Sequence, residues 1–144
     1  MNTYSLLLHL HSYVRWFLLI VLIIALVRAI MGLASKQSYK LLDAKLALYT
    51  MIFAHIQLLL GFALYVVSPS VQWSDMSVTM KDADLRFWTI EHLSIMLLAI
   101  LLITLGRAFS RRAQAPDGKF KKILIYFGIA LLAIIYGIPW SRVF

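Results

Sequence analysis

Six residues hold most of the chemistry available to this chain: His9, His11, Arg15, His55, Glu91 and His92. All four histidines fall within or at the edge of long apolar runs, and none lies in the polar stretches between them. An ionisable side chain among apolar neighbours costs free energy unless it is paired, so such residues mark function by default. Imidazole ligates Zn, Cu and Fe and fills the axial positions of haem iron. Arg15, Glu91 and His92 together would also suit a proton path. Cys is absent, which removes disulfides, thiolate metal sites and cysteine nucleophiles. No His-Glu-x-x-His and no phosphate loop occurs.

The elements that must position these residues follow from composition. Of 144 residues, 62% are hydrophobic and 14% charged, against about 45–50% and about 25% in soluble domains. A membrane-crossing helix takes about 20 apolar residues. Four such helices, at about 4–33, 41–67, 84–110 and 119–138, use the whole chain as one domain, 1–144, with no room for a soluble catalytic domain. The first is expected to be a retained helix rather than a signal peptide. No basic residue precedes it, and it exceeds the usual apolar run of about 7–15 residues. Pro69 follows the second helix, Asp82 or Asp84 can cap the third, and Pro139 and Trp140 close the fourth. Short linkers at 35–39 and 113–118 make consecutive helices antiparallel neighbours. The expected fold is all-α, an integral membrane up-down four-helix bundle.

The net charge of +8 is explained by topology rather than by nucleic acid. Arg28, Lys36, Lys40 and Lys45 flank the first linker, and Arg107, Arg111, Arg112, Lys119, Lys121 and Lys122 flank the third. The other face carries Lys81, Arg86 and Arg142. This bias puts the first and third linkers in the cytoplasm and both termini on the outer, periplasmic face of a bacterial inner membrane. Trp73, Trp88 and Trp140 then sit near the outer interface, and the basic clusters meet anionic lipid.

Depth and direction select among the histidines. At about 1.5 Å per residue, His9 and His11 lie about 8–10 Å below the start of the first helix, His92 about 10–15 Å into the third, and His55 about 20 Å from the outer face. His9 and His11 are about 160° apart around the helix, whereas His11 and Arg15 share a face. This layout suits one b-type haem held by two imidazoles on different helices. His92 is one ligand; the other is His11 if the third helix starts late, or His55 if it starts early. Arg15 would meet a haem propionate or Glu91. The first and third helices are diagonal in such a bundle, leaving room between them. His9 reads as interfacial, and Gln57, Gly61 and Tyr65, which share a face of the second helix, read as close packing rather than a quinone pocket.

Several segments resemble a family of small four-helix, cytochrome-b-like membrane proteins of Bacteroidota. They are Leu8-His9-Leu10-His11-Ser12 with Arg15-Trp16, Ala54-His55-Ile56-Gln57-Leu58 with Gly61 to Pro69, Arg86-Phe87-Trp88 with Glu91-His92, and Ile138-Pro139-Trp140. The resemblance spans essentially the whole chain and implies haem b and electron transfer. The expected function is therefore a one-haem membrane cytochrome. It would exchange electrons with quinol or a periplasmic redox partner, alone or in a larger membrane complex. The competing expectations are a cofactor-free accessory or assembly subunit, whose buried polar residues fix helix packing, and a non-haem metal protein using His9, His11, His55, His92 and Glu91.

Overall fold

The computed structural model of the chain describes residues 2–142. Met1, Val143 and Phe144 of the expected domain lie outside the described residues, as does the side chain of Arg142. Helix α1 spans Thr3–Ala34, α2 Leu41–Val67, α3 Met76–Lys81, α4 Ala83–Arg112 and α5 Pro116–Gly137. A short 3-10 turn, Trp140–Arg142, follows. The described residues are all helix and connecting chain. Four of the helices, α1, α2, α4 and α5, are long and apolar enough to cross a membrane.

Local chemistry sets the helix ends. The Asn2 side chain accepts from the Ser5 N–H at 2.8 Å, and Asp82 Oδ1 accepts from the N–H groups of Asp84 and Leu85, both at 2.9 Å. These carboxamide and carboxylate oxygens satisfy donors that a helix start leaves open. Pro116 begins α5 three residues before the expected position 119, because a first helical residue needs no N–H. The expected loop after α2 contains α3, capped by Asp75, whose carboxylate accepts from Val78 N–H.

Helix α1 packs against α2 and α5, and α4 packs against α5 and α2, so α1 and α4 face each other across the bundle. Leu22, Ala54, Ala99, Ile103, Phe127 and Ala130 are fully buried at the centre. Small residues let the backbones approach: a Cβ on Gly106 would lie 2.5 Å from the Tyr126 Cβ. Such close contact is how apolar helices associate when lipid is as apolar as their side chains. Large apolar side chains, among them Ile20, Leu59, Val66, Leu101 and Leu132, point outward, a surface consistent with bilayer contact.

Two polar clusters fasten opposite ends. At one end Arg28 donates to both carboxylate oxygens of Asp43, at 2.9 and 3.3 Å, and Asp43 also accepts from the Lys40 N–H at 2.9 Å. At the other, α4 is interrupted by a π-turn over Phe87–Glu91, in which the His92 N–H reaches back five residues to the Phe87 carbonyl. The Tyr65 hydroxyl donates to the Thr89 carbonyl within this turn. The Thr89 hydroxyl oxygen accepts from the Gln72 N–H at 3.0 Å, and the Thr79 hydroxyl donates to the Gln72 carbonyl at 2.9 Å. Thr79 and Thr89 are buried, so the 68–82 connection is fixed onto the π-turn by a satisfied polar network.

Candidate functional site

Beneath that connection, between α1, α2, α4 and the end of α5, lies a cavity of about 210 Å³. One ordered water needs only about 10–15 Å³, so this is space for an organic group. Most of its wall is apolar, from Leu8, Leu58, Phe62, Leu93, Met96 and Ile134. Its polar wall is His11, Arg15, Gln57 and His92, with Tyr65, Ser68 and Ser70 towards the connection.

His92 is oriented by a hydrogen bond from its Nδ1 to the Gly137 carbonyl at 2.8 Å. With the proton on Nδ1, Nε2 keeps its lone pair. A metal-ligating histidine has this arrangement, its far nitrogen donating to a carbonyl that fixes tautomer and ring direction. Gly137 is approached by Ile95 and Met96, where a Cβ would meet the Met96 Cε at 2.5 Å. The close α4–α5 contact thus brings the carbonyl within reach of the imidazole. The His11 ring lies over Gly61, its Cε1 3.4 Å from where a Cβ would stand. Gln57 Nε2 donates to the His11 carbonyl at 3.0 Å and ties α2 to α1 at the same level. His11, Arg15 and His92 line the same cavity.

Three buried polar atoms on this wall have no partner among the described residues: His11 Nδ1, Arg15 Nε and Gln57 Oε1. Buried polar groups are satisfied in the great majority of cases. Three orphans converging on one cavity are what a ligand's own polar groups, or its waters, would complete.

The remaining sequence-predicted residues are elsewhere. His9 is exposed, on the side of α1 away from the cavity. His55 is also exposed, and its Nδ1 bonds the Met51 carbonyl of its own helix at 2.8 Å. It lies two residues, and so about 160°, from cavity-lining Gln57, which turns it away from His92. Of the two expected partners for His92, His11 lines the same cavity and His55 does not. Glu91 does not meet Arg15. Its carboxylate accepts from Arg86 Nε at 2.7 Å, because the π-turn stacks residues five apart. Gln57, Gly61 and Tyr65, expected to be packing residues, all line the cavity. Their spacing of four along 46–67, the charge-free part of α2, was the available signal. Among the described residues no three His, Asp or Glu side chains gather to form a metal cage, which leaves the multi-ligand non-haem site without its ligand set.

Comparisons with protein-family models, with curated proteins and with solved structures find no match to this chain.

Proposed function

We propose that the chain is a small b-type cytochrome of the bacterial inner membrane, with one haem held between α1 and α4 by His11 and His92. The helices run up and down, both termini lie on the outer face, and the protein belongs with the cytochrome-b-like proteins of Bacteroidota that its segments resemble. The observation that carries this reading is the shared cavity. Two imidazoles on opposite helices line one mostly apolar space, and one of them is already fixed by a carbonyl at its far nitrogen. Two protein ligands with no third suit a planar macrocycle that brings four nitrogens of its own.

Bound haem would supply one-electron chemistry. The protein residues bind, orient and exclude water. His92 is held against Gly137, His11 is seated on Gly61, and the fixed 68–82 connection covers the cavity. The site lies towards one end of the helices, so electrons would be exchanged with quinol or a periplasmic redox protein, or within a larger complex.

An absorption spectrum of the detergent-purified protein, oxidised and then dithionite-reduced, with a pyridine haemochrome count, tests the proposal. A sharp reduced b-type band at about one haem per chain is expected, lost in His92→Ala and His11→Ala and kept in His55→Ala. Colourless protein from haem-replete cells would overturn it. The cofactor-free accessory subunit would then hold, with the bonds of Gln57, Tyr65 and His92 serving only to join the helices.

A further inference from the structure

Arg15 sits on α1 one turn further along than His11, surrounded by apolar spans, and no carboxylate among the described residues answers it. The two ion pairs among the described residues are Arg28–Asp43 and Arg86–Glu91. Among the described residues Arg15 makes no hydrogen bond; its guanidinium carbon lies 5.3 Å from the Trp16 ring centroid, and its Nε is buried and unpartnered on the cavity wall. A ring face attracts a cation but does not neutralise it. A guanidinium cannot escape the cost by losing its proton, so among the described residues the charge of half-buried Arg15 is left uncompensated.

We propose that the cavity takes an apolar molecule bearing a carboxylate, with the carboxylate seated on Arg15. The charge count favours this class. A carboxylate carries one negative charge and cancels one guanidinium; a phosphate dianion would bring a surplus, and a lipid phosphodiester, also of single charge, would bring a polar headgroup that the mostly apolar lining does not match. The guanidinium fork matches the two carboxylate oxygens. The orphaned His11 Nδ1 belongs to the wall of the same cavity, and the mostly apolar lining matches the remainder of the molecule in character. Two sources share this chemistry, a propionate of a porphyrin and a free long-chain fatty acid from the bilayer. The inference uses the cavity of the preceding section but not its iron–imidazole bonds.

The test uses metal-free porphyrin, which His ligation cannot hold. Protoporphyrin IX and its dimethyl ester are titrated into the full-length detergent-purified protein, and quenching of the tryptophan fluorescence is followed. The free acid is expected to bind at least tenfold more tightly than the ester. Arg15→Gln should erase the ratio and Arg15→Lys should keep part of it. Equal binding of acid and ester by the wild-type protein, binding of neither, or a ratio that survives Arg15→Gln would overturn the proposal. The wild-type ratio decides even if a variant fails to fold. Displacement of the porphyrin acid by oleate makes a bilayer fatty acid a ligand of the same seat; a lack of displacement assigns the seat to the porphyrin propionate. A colourless protein that still prefers the acid removes the haem reading and leaves this one standing. A b-type spectrum formed equally well with haem and with its dimethyl ester does the reverse.

Discussion

His92 and His55 each spend one ring nitrogen on a backbone carbonyl, yet only one of them is placed to bind anything. The bond of His92 crosses from α4 to α5, while that of His55 returns to the preceding turn of its own helix. The first fixes a ring that faces a cavity; the second satisfies a ring at the outer surface of the bundle. His55→Ala is thus expected to change the unfolding temperature of the detergent-solubilised protein by little. Asp43→Ala should lower stability by about 1–2 kcal/mol, because it removes the acceptor shared by Arg28 and the Lys40 N–H; no measurable fall by thermal unfolding would count against the pair as a fastening. Depth alone did not separate the histidines. With α4 starting at Ala83, counting residues would pair His92 with His55, and the deciding fact is the direction each ring faces. Direction was readable for His9 against His11, two residues apart on one regular helix. It was not readable for Glu91, because the sequence before it does not announce a π-turn.

Among the elements, the boundaries of α1 and α2 were legible from apolar run length and from the polar residues at their ends. The short α3 was not: six residues give too little periodicity, and its cap, Asp75, lies in a stretch that reads as loop. That helix matters because its Thr79 is half of the network fastening the 68–82 connection to Thr89. Tyr65→Phe removes the hydroxyl donated to the Thr89 carbonyl and should cost about 1–2 kcal/mol. Its effect should be concentrated locally, as faster amide exchange at 68–82 and 87–91 with α5 unchanged; a uniform change over all helices would contradict a local fastening. Gly106→Leu should do the opposite. It drives a side chain into Tyr126 where α4 and α5 are closest, so loss of cooperative unfolding is expected rather than a local change.

At the scale of the whole molecule, the four spans and the positive-inside bias are the parts most fully written in composition. The cavity is not, since it depends on how four helices meet. The orientation makes a direct prediction, aided by the absence of native cysteine. In intact spheroplasts, a membrane-impermeant thiol reagent should label Ser74→Cys and leave Gln37→Cys and Gln114→Cys untouched until the membrane is permeabilised. The reversed pattern would invert the topology and put the candidate site on the cytoplasmic side. The π-turn has one further consequence. It inserts about 100° of angular phase into α4, so residues on either side of it are counted on two different helical wheels. Deleting Ile90 would restore a regular helix and keep its length within one residue. It would also swing Arg86 and Phe87 around the axis relative to His92, parting Tyr65 from its carbonyl while leaving the imidazole on Gly137. A single codon thus separates the cover of the cavity from the imidazole in its wall.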